Sequence, residues 1–300
     1  MSARDERIPV AGRRVAPLPA AFKYAWPWLA ALALAIILPW LFFDWSKGRH
    51  SGFVISLLSQ MGLMTVFALS YNMQMGQAGL LSFGHAVFLG LAGYVTIHAM
   101  NAIDSGALWL PMELLPLIGG LGGLAFAVVI GYIVTKQRGT AYAMITLGVG
   151  ELVSSAAVMF NGFFGGEGGV TGNRVLPATL LGLRYSSAIQ VYYLILAWTA
   201  IAVALMLLLT QTPIGRMANA CRDNADRAQF VGYDPRMVRF YQVALSGFFA
   251  GIAGALYAVN YEIVTFDAVN AVMSANALLM TFIGGVGVFW GPIVGAVLVT

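Results

Sequence analysis

Glu151 is a carboxylate inside an otherwise apolar run, eleven residues after Thr140. On a helix that offset is ~16 Å of rise, near the middle of a hydrocarbon layer ~30 Å thick. A carboxylate at that depth must face a polar interior or a partner, so its default reading is functional: it relays protons or shapes a polar solute path. Ser154 and Ser155, three and four residues on, could share its face. The competing reading is a protonated or paired glutamate with a structural role only. A second polar group, Asn72, Gln77, Ser82 and His85, opens an apolar run that also carries Gly76, Gly79, Gly84, Gly90 and Gly93. Such side chains face a bundle interior or a wet cavity, and the glycines permit close helix approach or a local break. The alternative makes Asn72 and Gln77 interfacial helix-end groups and His85 a packing residue.

Catalytic chemistry finds little support. His50, His85 and His98 are scattered, with no His-Glu-x-x-His, so neither a metal site nor an enzyme is expected. Ser82 and His85, three apart, would share a helix face, which by itself is no dyad. The most glycine-dense stretch, 165–174, ends in Asn173-Arg174 where a phosphate loop needs Lys and Ser or Thr. No ATP site of that kind and no cofactor are expected. Cys221 stands alone and reads as an inert thiol.

These residues need elements to position them. The 300 residues are 60% hydrophobic and 9% charged, which excludes a soluble globular domain and a disordered chain. Charge-poor runs fall at 25–43, 52–71, 80–100, 114–135, 140–160, 191–209, 241–259 and 275–300. All are helix-length, whereas membrane strands would alternate over about ten residues. The expectation is an all-α polytopic membrane bundle of about eight spans, of which the run at 80–100 could re-enter. The first run is too long for a signal-peptide core and lacks a cleavage site, so it is read as a retained span after a polar tail, 1–24.

Orientation follows from the sixteen Lys and Arg. Five precede the first span (Arg4, Arg7, Arg13, Arg14, Lys23), two are Lys136 and Arg138, and five lie from Arg216 to Arg239; only Lys47, Arg49, Arg174 and Arg184 fall on the other side. The positive-inside rule puts the N-terminus and the 211–240 loop in the cytoplasm and the 161–190 loop outside. The net charge of +4 is this bias, not a nucleic-acid groove. Trp26, Trp28, Trp45, Tyr192 and Tyr193 near span ends read as interfacial anchors. Gly247 with Gly251, Gly287 with Gly291, and Gly291 with Gly295 read as helix contacts. Pro292 is expected to kink the last span.

The 211–240 loop is longer than a connector needs. Thr212-Pro213 starts a helix, Gly232 stops one, and Asp234-Pro235 restarts one. Two short helices with charged faces are predicted, carrying Ala218, Ala225, Ala228 and Val231. A surface-lying amphipathic loop is the alternative, but Asp223 and Asp226 offset Arg222 and Arg227 and make a poor lipid anchor. A docking surface for a cytoplasmic partner fits better.

At these residues the chain resembles a known family. Ala225 to Gly232 looks like the coupling loop of bacterial ABC importer permeases. Residues 222–234, Arg-Asp-Asn-Ala-Asp-Arg-Ala-Gln-Phe-Val-Gly-Tyr-Asp, are similar to the high-affinity branched-chain amino-acid permeases. Further blocks match in order: Gly76-Gln-Ala-Gly-Leu-Leu-Ser-Phe-Gly-His-Ala-Val-Phe88, Gly150-Glu151, Gly165-Gly-Glu-Gly-Gly169, Leu245-Ser-Gly-Phe-Phe-Ala-Gly-Ile-Ala-Gly-Ala-Leu256 and Gly284-Gly-Val-Gly-Val-Phe-Trp-Gly-Pro292. The resemblance covers about residues 50 to 300. It implies a heteromeric importer of the bacterial inner membrane: this permease with a second one, two cytoplasmic ATPases, and a periplasmic binding protein that delivers an amino acid. Arg222, Asn224, Ala225, Arg227, Ala228, Gly232 and Asp234 would then receive the ATPase, and Asn72, Gln77, Ser82, His85 and Glu151 would line the path. The sequence departs from the family at Phe164-Gly-Gly-Glu-Gly-Gly169, where relatives usually carry Thr-Gly-Gly followed by Ser or Thr, Asp and Gly. Relatives also continue past Gly291-Pro292 with more hydrophobic sequence, so at least one further span is expected beyond Thr300. The rival classes are a proton-coupled secondary transporter or channel, using Glu151 and His85 as relays, and a membrane scaffold without solute flux.

Overall fold

The computed structural model describes residues 18–44, 49–176, 179–180, 182 and 185–300. Residues 1–17 of the tail, Trp45, Lys47 and Arg184 lie outside the described residues, as do the side chains of Lys23, Trp26, Trp28, Arg49 and His50. In chain order the elements are α1 (Leu18–Leu41), β1 (Phe43–Asp44), β2 (Arg49–His50), α2 (Gly52–Asn72), α3 (Ala86–Asp104), α4 (Leu115–Val134), α5 (Thr140–Met159), α6 (Asn161–Phe164), β3 (Val170–Thr171), α7 (Ala188–Gln211), α8 (Pro213–Asp223), α9 (Ala225–Phe230), α10 (Pro235–Tyr261), β4 (Ile263–Val264), α11 (Ala271–Gly284) and α12 (Gly291–Val299). The molecule is an all-α polytopic bundle with two minimal antiparallel ladders, Phe43↔His50 and Val170↔Val264.

Six helices among the described residues are long and apolar enough to cross a membrane: Gly52–Gln77, Ala86–Asp104, Met112–Val134, Thr140–Met159, Ala188–Gln211 and Pro235–Tyr261. Ala30–Leu41, within α1, and Ala271–Gly284 are shorter apolar helices. Of the eight spans expected, six are shown among the described residues. The run at 80–100 becomes a helix only from Ala86, because 78–85 leaves helical geometry. The run at 275–300 is no single span. Gly285 and Gly287 take φ of +103° and +89°, which favour glycine, and turn the chain between α11 and α12. Pro292 therefore sits in the first turn of α12, where its missing N–H is harmless, and kinks no span. Gly287 and Gly291 are no helical pair either. Gly291 and Gly295 do make contacts, against the backbone of Gly284 and Met280, which closes α11 and α12 into an antiparallel hairpin.

The core is built on α10, which packs along α4 and α3. Gly247 and Gly251 face Gly119, Gly123 and Ala127 so closely that a Cβ on Gly251 would meet the Gly119 carbonyl. A Cβ on Gly120 would come 2.9 Å from Phe248. Without a hydrophobic force between helices in lipid, such backbone approach supplies the packing energy. Tyr192 and Tyr193 of α7 donate to the carbonyls of Ala35 and Ile36 at 2.7 and 3.3 Å, so both tie α1 to the bundle.

Candidate functional site

The site is an interruption inside the bundle. α2 runs on through a π-helical turn, Met73–Gln77, and then 78–85 is irregular until α3 begins. Ser246 of α10, which receives a hydrogen bond from this region, lies eleven residues after Pro235 and so ~16 Å into its helix. Irregular backbone at membrane depth persists only where protein rebonds it. Here α5, α11 and α8 bond the freed backbone, and α10 bonds the adjoining Gln74 side chain. The Phe83 N–H donates to Thr146 Oγ1 of α5 at 3.2 Å, and the Ala86 N–H to Ser274 Oγ of α11 at 2.9 Å. Gln74 Nε2 donates to Ser246 Oγ of α10 at 2.5 Å, and the Tyr142 hydroxyl reaches Gln74 Oε1 at 3.5 Å.

The fourth tie comes from the α8–α9 loop. The Arg222 guanidinium donates to the Gly76 carbonyl, one of the acceptors freed where the helix ends. A cation there also complements the negative end of a helix dipole. The Arg222 side chain lies against Gly79, where a Cβ would sit 2.9 Å from Cγ, and Gly79 has φ +67°. The turn between α11 and α12 reaches the same spot: a Cβ on Gly76 would be 3.2 Å from the Gly287 nitrogen, and one on Gly287 3.8 Å from the Arg222 Nη1. Two chain interruptions and one loop arginine therefore meet at a single point.

Asn72, Gln77, Ser82 and His85 are all buried in this segment. His85 accepts or donates a 2.9 Å hydrogen bond with Ser70 and packs among Phe67, Tyr71 and Phe88. Ser82 and His85 do not share a helix face, because no helix exists at 78–85. Asn72 Oδ1, Gln77 Oε1 and His85 Nδ1 are buried without a partner among the described residues. Beside them Ser82, Tyr142 and Thr146 line a void of only about 10 Å³, barely one water. The void beside these polar groups has no room for more than a water.

Glu151 stands elsewhere. It is exposed on the outer face of α5, flanked by Met144, Gly148, Leu152 and Ser155, while Thr146 and Gly150 of the same helix face the interruption. A Cβ on Gly148 would meet nothing within 4 Å. The sequence places the carboxylate at the right depth but could not say which side of α5 the bundle covers.

The loop forms the expected helices, although the Thr212 hydroxyl donates back to the Leu209 carbonyl and does not cap α8. Asn224 accepts from the Arg227 N–H at 2.8 Å, Asp234 accepts from the Arg236 N–H at 2.9 Å, and Gly232 turns at φ +98°. Ala228 is buried beneath α9, and Ala225 is half-buried at its start. Arg227 is exposed beside an open groove of about 310 Å³ that Asp223, Asn224, Val231 and Tyr233 also line. Sequence reasoning overlooked Phe230, 92% exposed at the tip of α9. Cys221, half-buried in α8, has its thiol pushed up by burial.

At the other end, the 161–190 segment is tied down where described. Glu113 accepts from the Leu180 N–H and from the Tyr185 hydroxyl, each at 3.0 Å. Burial, then the Glu113 carboxylate, push the Tyr185 phenol up. Arg174 pairs with Glu262 at 3.8 Å, and His98 Nε2 lies 2.7 Å from the Phe163 carbonyl oxygen. Glu113 was invisible as an anchor, although a carboxylate in a first helical turn after Pro111 is a recognisable signal. No group of three His, Cys, Asp or Glu that could hold a metal occurs among the described residues.

Spanning helices around a buried polar core, broken where a structured loop is latched to them, define a polytopic membrane protein. Residues 53–300 match the family described as branched-chain amino acid transport system / permease component, and the chain belongs to that family. It is 25% identical over 293 residues to the high-affinity branched-chain amino acid transport system permease protein LivM of Escherichia coli, and 24% identical to that of Salmonella typhimurium. Each alignment covers 90% of this chain and 65% of the relative, so the chain spans just under two thirds of the length of these relatives. The fructose import permease protein FruF of Bifidobacterium longum is 25% identical, with 91% of this chain and 78% of that protein covered. No solved structure matches the chain.

Proposed function

We propose that the chain is a permease subunit of an ATP-binding cassette importer of the bacterial inner membrane, carrying branched-chain amino acids (leucine, isoleucine, valine) by alternating access. ATP is hydrolysed by separate cytoplasmic ATPase subunits, and a second permease chain and a periplasmic amino-acid-binding protein complete the machine. The observation that carries this reading is the Arg222 bond to Gly76, which joins the loop that would meet the ATPase to the interruption that closes the core. A push on α8 and α9 then has a direct route to Gly79 and Gly287. Coupling requires the two states to differ in such contacts. Arg222 thus acts on the inner side of the loop, while Arg227, Phe230 and Val231 offer the outer surface, held by Asn224, Ala225, Ala228, Gly232 and Asp234. In the open state Asn72, Gln77, Ser82 and His85 line the path on this chain's side. Glu151 faces the seam with the second permease, where a mid-membrane carboxylate finds its polar partner.

The test is uptake of labelled leucine, isoleucine and valine together with co-purification from the native membrane. A nucleotide-binding ATPase and a second permease should co-purify, and both the ATPase contact and uptake should vanish on deleting residues 225–231 or on Gly232→Arg, with the chain still in the membrane. Uptake that survives ATP depletion and collapses with the proton gradient would establish the proton-coupled alternative instead. The match to a fructose permease favours one second reading of the cargo, a sugar, and competition by fructose in the same assay decides it.

A further inference from the structure

The joined ends of α4 and α10 carry a charge cluster that the translocation core does not use. Tyr132, on the outside of α4, has the Lys136 ammonium 5.2 Å from its ring centre and the Arg236 guanidinium 5.4 Å from the same ring. Arg239, one helical turn further along α10, reaches the Thr135 carbonyl through Nη2 at 3.5 Å. Its Nε is buried without a partner among the described residues, and Arg138 is within electrostatic range of it. Asp234 is the carboxylate close to this group, and its Oδ1 is engaged in capping the Arg236 N–H. Four cations thus face one committed carboxylate.

The opposite ends of the same two helices carry Glu113 and Glu262 instead, so the cations are concentrated at one end of the pair. Below them the outward surface is apolar: Val129 and Ile133 are 65% and 60% exposed, and Tyr241 stands beside Phe240 on α10. Cations over an aromatic ring keep N–H donors directed away from it. Two like charges against one ring repel, and an anion within reach of both relieves that repulsion. A ligand that satisfies both halves of the surface needs a phosphate beside Lys136 and Arg236 and an acyl chain along Val129 and Ile133. Basic pockets between membrane helices recognise such headgroups.

We propose that the α4–α10 end, with Tyr132, Lys136, Arg236 and Arg239, is a binding site for an anionic glycerophospholipid, of which phosphatidylglycerol is the simplest example. The site lies apart from the proposed solute path and adjoins the coupling loop through Asp234. The test is native mass spectrometry of the full purified chain in micelles with equal phosphatidylglycerol and phosphatidylcholine of matched acyl chains. Wild type should retain phosphatidylglycerol at least tenfold over phosphatidylcholine. Each of Lys136→Gln and Arg236→Gln should cut that preference about fivefold, and the pair should abolish it. The exchange Lys136→Arg with Arg236→Lys keeps the charges and should keep the preference, which separates binding from misfolding. Arg216→Gln, a charge removed from a different helix, should leave it unchanged. Equal retention of both lipids by wild type, persistence in the double variant, or an equal loss in Arg216→Gln would overturn the assignment. Displacement of the lipid by millimolar inorganic phosphate would also overturn it, since the site would then take a free anion.

Discussion

At the scale of single residues, Arg222 replaces a missing helical turn. Where the helix stops after Gln77 the Gly76 carbonyl has no amide to receive, and a guanidinium supplies the donor. A hydrogen bond to a charged group contributes about 1.5–3 kcal/mol. Arg222→Ala should therefore raise hydrogen exchange at the amides of 78–81 by tenfold or more, while amides in the α4–α10 contact stay protected. Unchanged exchange at 78–81 would remove Arg222 from the coupling route. Cys221, next to it, answers a different question. Burial lifts its thiol above the ordinary value of 9.0, so the thiolate forms only as the pH passes that value. Maleimide labelling should keep accelerating above pH 9; a plateau near pH 8 would show a thiol that the loop does not shelter.

At the scale of elements, two kinds of contact hold the bundle and they respond differently to substitution. The α4–α10 contact is backbone against backbone, and Gly251→Leu would drive a side chain into the Gly119 carbonyl. Overpacking costs about 1–3 kcal/mol where side chains can yield, and more where only backbone is met. The variant should lose thermal stability in detergent sharply, whereas Gly148→Leu, with open space around it, should not. The interruption is held instead by side-chain acceptors. Ser274→Ala leaves the buried Ala86 N–H without its partner, a loss of about 1–3 kcal/mol, and should lower the melting temperature without changing helix content by circular dichroism. Equal melting of variant and wild type would mean that water rebonds this amide.

At the scale of the whole molecule, the exposed face of α5 supports the proposed seam with a second permease. A carboxylate among Met144, Leu152 and Ser155 would otherwise meet lipid, which is costly at mid-membrane. A photocrosslinking residue at position 151 should therefore capture a second membrane chain in the native membrane; capture of lipid alone would return Glu151 to a structural role. On the proposed path, the void of about 10 Å³ beside Ser82 admits no amino acid, so transport would require these elements to move apart.

Much of this was legible in the sequence because it is local. Apolar run length sets a spanning helix, and Pro213, Gly232 and Asp234-Pro235 set limits of α8, α9 and α10, since such signals act within a few positions of each other. Gly247 and Gly251 could be read as a contact for the same reason. What tertiary structure alone decided depends on partners far apart in the chain. The breaks at 78–85 and at Gly285 to Gly287 exist because Thr146, Ser274 and Arg222 are there to bond or pack against the freed backbone, and hydropathy cannot see partners 60 to 190 residues away. The outward face of Glu151 and the inward reach of Arg222 were set in the same way, by which side of each helix its neighbours cover.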